Sequence, residues 1–97
     1  MDMTSDNPEV PDESRGFQFP GTFELAAMGE ADRRLEQSLP KALMDAGVDV
    51  VSEQITWKHS STGKFVSVRI GFRAENREDY DRAHVALREH PDVKWTI

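Results

Sequence analysis

Between Phe65 and Phe72 the chain reads FVSVRIGF, with Val66, Val68, Ile70 and Phe72 at every second position. An apolar period of two belongs to a strand with one buried face, because successive side chains leave opposite sides of the pleated backbone. Such a strand needs neighbouring strands for its backbone groups and an apolar layer to cover its inner face. This requirement constrains the rest of the chain more than any other feature.

The remaining periodicities supply both partners. TFELAAM (Thr22–Met28) alternates Phe23, Leu25 and Ala27 against Thr22, Glu24 and Ala26. In ADRRLEQSLPKALMDAG, residues Leu35, Leu39, Ala42, Leu43 and Ala46 recur at helical spacing, and Gly47 is placed to stop the helix. Pro40 lies inside it and predicts a kink, or a fresh start near Ser38, since proline removes one helical hydrogen bond. SEQITWK reads as a strand through Ile55 and Trp57. Asn76 followed by Asp79 caps a second helix with Tyr80, Ala83, Leu87 and His84 along one stripe. After Pro91, VKWTI alternates Val93, Trp95 and Ile97 as a fourth strand.

The order is βαββαβ. With one apolar stripe per helix and one apolar face per strand, both helices can cover the same side of one sheet. Right-handed crossovers then put strands one and three side by side at the centre. The expected fold is α+β and ferredoxin-like: a four-stranded antiparallel sheet with two helices on one face and water on the other.

Composition sets outer limits. Ninety-seven residues suit one domain with a single core. No apolar run approaches the ~20 residues that span a bilayer. The N-terminus has neither the basic start nor the apolar middle of a secretory signal, and cysteine is absent, so a cytoplasmic protein is expected. Asp2, Asp6, Glu9, Asp12 and Glu13 face Arg15 alone within residues 1–16, a stretch that also holds Pro8 and Pro11. It has too little to bury to offset the entropy of ordering, and it reads as a disordered acidic tail before a domain at 17–97.

No reaction is legible. HSSTGKF (His59–Phe65) resembles a phosphate-cradling loop, but the first glycine is Lys58, the hydroxyl after Lys64 is Phe65, and a strand follows instead of a helix. It reads as a hairpin turn with Gly63 in a left-handed conformation. His59, His84 and His90 lack ligand spacing, no serine sits in a nucleophile elbow, and Glu78, Asp79 and Asp81 suit the opening of a helix. No metal, cofactor or catalytic residue is expected.

The uncovered sheet face is the candidate surface. Phe65, Arg69 and Arg73 point away from the core, near Lys58 and Lys94 on the neighbouring strands. TGKFVSVRIGF echoes the third strand of RNA-recognition domains, which share this element order. Those domains stack bases on two or more aromatics, whereas only Phe65 is expected here, and the chain's net charge of −6 argues against a nucleic-acid footprint. The outer strands, around Ile55–Trp57 and Val93–Ile97, are templates for strand addition partly guarded by Lys58 and Lys94.

The runs FPGTFELAAMGEA, SSTGKFVSVRI and VKWTI are similar to the YbeD-like family of small bacterial proteins of unknown function. The resemblance covers residues 17–97 and is marked by Phe19-Pro20, Phe23, Met28-Gly29 and the Ser60-Ser61/Gly63 turn. It implies the ferredoxin-like fold and a likeness to the ACT-type regulatory domains that bind small metabolites. On that likeness the loop after strand one, with Gly29, Glu30 and Asp32, is the expected ligand site, although the Pro-Gly pair that often opens the helix is missing. Some family members are encoded beside lipoate-attachment genes, which implies regulation there. The expectation is a non-enzymatic regulatory or protein-interaction domain, with metabolite sensing as its sharper form and RNA binding as the alternative. Its expected partner is another protein or a second, weakly bound copy.

Overall fold

The computed structural model describes residues 18–97, so the expectation of a disordered tail at 1–16 lies outside the described residues. Strand β1 (Gly21–Glu30) leads through a 3₁₀ turn (Ala31–Arg33) into helix α1 (Leu35–Asp45). Strands β2 (Asp49–His59) and β3 (Phe65–Ala74) form a hairpin, and helix α2 (Arg77–Glu89) and strand β4 (Trp95–Thr96) complete the βαββαβ order. The sheet runs β2-β3-β1-β4, antiparallel throughout, with β3 and β1 central as expected.

Residues Gly21 to Glu30 pair without interruption with Ala74 to Phe65. The inward positions of β3, Val66, Val68, Ile70 and Phe72, have no solvent exposure. They meet Leu25 and Ala27 of β1, Leu35, Leu39 and Leu43 of α1, and Ala83 and Leu87 of α2 in one core. Both helices therefore lie on a single face.

The local signals explain the boundaries. Asn76 accepts a hydrogen bond from the Asp79 backbone N–H at 2.9 Å, and Asp79 accepts one from the Glu75 N–H at 3.0 Å. Side chain and backbone thus satisfy each other at the start of α2. Arg82, at 2.7 Å, and the Glu75 N–H hold the Asp79 carboxyl below the usual carboxylate range. At the end of α1, Gly47 has φ +90, its N–H reaches the Met44 carbonyl, and the Val48 N–H reaches that of Leu43. These paired bonds need a left-handed residue, which glycine adopts without steric cost.

Three features differ from the sequence reading. First, α1 runs through Pro40 without a restart at Ser38; Pro40 is buried, and Arg34, just before the helix, takes φ 54. Second, β2 begins at Asp49 and carries an irregularity: Val51 faces Gly71 and Ile55 faces Ile70, so Ser52, Glu53 and Gln54 oppose no residue of β3. Third, β4 pairs through only two residues, and its parity is the reverse of the inward apolar face expected for VKWTI. Trp95 pairs with Met28, placing Trp95 and Ile97 on the uncovered side, while Val93 packs against the core before the strand starts.

Candidate functional site

The HSSTGKF segment is a hairpin turn. The Ser60 N–H donates to the Phe65 carbonyl at 2.8 Å, the Gly63 N–H to the Ser60 carbonyl at 2.9 Å, and Gly63 has φ +77. The Ser60 hydroxyl also accepts from the Phe65 N–H at 3.1 Å. These groups are spent on closing the turn, and no helix N-terminus stands behind them.

On the uncovered face, alternation brings forward the odd residues of β3 and the even residues of β1. Phe65 is half-buried, and its ring packs edge-on against Trp95, with centroids 5.4 Å apart at 66°. Trp95 is 50% exposed and Ile97 63% exposed. Met28, opposite Trp95, and Ala26 beside Ile97 complete an apolar patch. Sequence reasoning missed Trp95 as the second aromatic because it assigned the apolar residues of VKWTI to the core. The signal that distinguishes them is pairing parity: the Lys94 N–H donates to the Met28 carbonyl and the Ile97 N–H to the Ala26 carbonyl, each at 2.9 Å.

The cations near this face are mostly matched. Arg69 meets Glu24 at 3.2 Å, Lys94 meets Glu30 at 3.5 Å, and Arg73 lies 3.9 Å from Glu75. The Lys94 ammonium also stands 5.7 Å from the Trp95 ring centroid. Lys58, across from Ser67, has no ion pair among the described residues. Part of the face is shielded from the β2 side, because the Gln54 side chain lies over Gly71; a Cβ at Gly71 would fall 2.1 Å from Gln54 Oε1.

The loop after β1 carries the other expected site. The Ala31 N–H donates to the Lys64 carbonyl at 2.8 Å, which ties the loop to the hairpin turn. Between them lies a hollow of about 430 Å³ lined by Glu30, Ala31, Asp32, Gly63, Lys64 and Phe65. Glu30 and Asp32 thus share a cavity. Gly29 does not line it: it is buried, and a Cβ there would come within 2.3 Å of the Asp92 carbonyl oxygen. Its small size serves close backbone approach.

No catalytic constellation forms among the described residues, and no group of three or more metal-ligating side chains does either. His84 is half-buried with its ring 4.5 Å from that of Tyr80, and its Nε2 has no hydrogen-bond partner among the described residues. Burial holds its pKa below 6.5, and Arg88 adds to the shift while Asp81 opposes it. His90 accepts from the Asp92 N–H through Nδ1, a turn-closing role.

These features define a small ferredoxin-like module whose exposed sheet face is apolar at one corner and mostly charge-matched elsewhere. It is similar in fold to the solution structure of protein HP0495 from H. pylori, with a TM-score of 0.66 at 13% identity, covering 84% of this chain and 85% of that one. The chain belongs to the family described as protein of unknown function (DUF493), matched over residues 14–97, to which the YbeD-like resemblance pointed. It is 63% identical over 97 residues to UPF0250 protein Smlt4048 of Stenotrophomonas maltophilia and 59% identical to UPF0250 protein XfasM23_0556 of Xylella fastidiosa. Each match spans 100% of both chains, and neither relative's name describes an enzyme. No helix among the described residues is long and apolar enough to cross a membrane.

Proposed function

We propose that this protein is a non-enzymatic, cytoplasmic regulatory domain that acts by binding another protein through the uncovered face of its sheet. The observation that carries this reading is the apolar corner formed by Trp95, Phe65, Met28 and Ile97 over the buried Ala26, on the sheet face opposite the helices. Aromatic residues and methionine are enriched at the centres of protein interfaces and charges are depleted there, and tryptophan is prominent among residues whose truncation costs binding. The flanking ion pairs suit a rim that needs no counter-charge. They weigh against RNA, whose phosphates would compete with Glu24 and Glu30 for Arg69 and Lys94.

The test is a photo-crosslinking amino acid placed at Trp95, with Arg82 on the helical side as control. Irradiation in the native cytoplasm should give a discrete protein adduct from position 95 and none from position 82. Nucleic-acid adducts from position 95 would instead establish the RNA reading. Equal adducts from both positions, or none from position 95, would refute a specific protein interface there.

A second reading, metabolite sensing such as the family's link to lipoate attachment implies, is supported by the hollow between Glu30–Asp32 and Gly63–Phe65. Glu30 is engaged by Lys94, which leaves Asp32 for an ammonium group and Lys64 for a carboxylate. Titration with amino acids and with lipoate should shift the amides of Ala31, Asp32 and Lys64 saturably if this reading holds.

A further inference from the structure

Strand β1 has ten residues, yet β4 pairs with it only at Ala27 and Met28, and Ile97 adds one bond to the Ala26 carbonyl. Because Ala26 and Met28 send their carbonyls toward β4, the backbone groups of Thr22 and Glu24 point to the same side. Among the described residues no strand lines that side from Gly21 to Leu25. A cleft of about 270 Å³ opens at this place, between the β1 edge and α2, and Leu25, Ala26, His84, Leu87, Arg88 and Ile97 contribute to its walls. It occupies the position that a longer fourth strand would fill.

We infer that the Gly21–Ala26 edge of β1 is a strand-addition site for an extended segment of a partner protein. That segment presents an aliphatic side chain to the cleft and, two residues away, a carboxylate to Arg88. The inference rests on the protein-interaction reading above and names its mode. Unpaired strand edges bind extended peptides through main-chain hydrogen bonds, and alternate side chains enter whatever pockets flank the edge. The apolar walls call for an aliphatic residue. Arg88 has no ion pair among the described residues, whereas the carboxylate of Glu24 at the cleft is already held by Arg69. The cation free to select is therefore Arg88. A second copy is a poorer occupant, since antiparallel pairing of two β1 edges about Phe23 gathers two Glu24 side chains into one patch. The edge is continuous with the apolar corner through Ala26 and Ile97, so one partner can use both.

The probe is a capped peptide alternating threonine with leucine, carrying one aspartate two residues from the central leucine, titrated into the isotope-labelled full chain. The expected result is saturable amide shifts at Thr22, Glu24, Ala26 and His84–Arg88, with slowed amide exchange at Thr22 and Glu24. Thr22→Pro removes an N–H on the free side without touching the β1–β3 ladder, and it should weaken binding tenfold or more. Arg88→Glu, an exposed substitution that keeps the fold, should abolish the preference for the aspartate peptide over its asparagine counterpart while the latter still binds. Shifts confined to Phe65 and Trp95 would overturn the edge site and leave the interaction face standing. The edge assignment also fails if the peptide does not bind, or binds only after residues 1–17 are deleted, which would make that segment the occupant. Concentration-dependent shifts at Thr22 and Glu24 without peptide would assign the edge to a second copy instead. The Trp95 crosslink reads the face independently, so the two failures are distinguishable.

Discussion

Truncating Ile70 to alanine tests whether the sheet is covered on one face only. Ile70 sits mid-strand with no solvent exposure, opposite Leu25 on one side and Ile55 on the other. The change deletes three carbon atoms, worth about 2.4 kcal/mol at ~0.8 kcal/mol per buried methylene. Incomplete collapse of the cavity raises the loss to about 3–4 kcal/mol, inside the ~2–5 kcal/mol found for such truncations. Arg69, the next residue, points the opposite way into water and makes one exposed contact with Glu24. Removing it should cost no more than the ~0.2–1 kcal/mol typical of exposed ion pairs. Urea unfolding followed by tryptophan fluorescence compares them directly. With a slope of about 1 kcal/mol per molar, Ile70→Ala should lower the midpoint by about 3 M and Arg69→Ala by less than about 1 M, both at unchanged slope. Comparable losses from the two variants would mean that the outer face is packed as tightly as the inner one, and the proposed binding surface would disappear with it.

Further outcomes follow from local geometry. Asn76→Ala removes the acceptor for the Asp79 N–H and should cost about 1 kcal/mol in the same assay. Gly63→Ala meets no atom within 4 Å, so only its φ of +77 matters, and the loss should be about 1 kcal/mol from the left-handed backbone alone. A much larger effect would mean that the turn packs against something. For His84 the folded pKa lies below 6.5 because of burial, so the unfolded chain takes up a proton first as pH falls. Its contribution is therefore present above pH 6.5 and declines as pH drops through and below that value. His84→Gln should flatten the slope of melting temperature between pH 7.5 and 5.5, and an unchanged slope would refute the assignment.

Strand β3 was legible because four inward residues alternate with polar ones, and helix α2 because Asn76 and Asp79 mark its start. The core followed from these. Strand β4 was harder: alternation separates Val93, Trp95 and Ile97 from Lys94 and Thr96 but does not say which set faces the helices. Its register is decided by two backbone bonds to β1, which leave no trace in the side-chain pattern. Hence the sequence reading offered Phe65 as the single aromatic of the open face and missed Trp95, whose ring packs against it. The insertion at Ser52–Gln54 was equally silent, since three polar residues on an outer strand read the same in or out of register. Glu30 and Asp32 were singled out only through the likeness to ACT-type domains; the far wall of the hollow they line, Gly63–Phe65, belongs to the distant β2–β3 turn, and only the hairpin's return brings it close.

The insertion in β2 also bears on what the molecule can build. An adhesive edge at each end of a sheet would let copies stack head to tail without limit, because such contacts generate open filaments unless they close. Here Ser52–Gln54 divide β2 into Asp49–Val51 and Ile55–His59, neither long enough to template an extended neighbour across the whole strand. The break disfavours growth on that side. If the β1 edge accepts a partner strand as proposed, a module with that one border and a broken one opposite terminates after a single addition, so its complexes should have fixed stoichiometry even at high concentration.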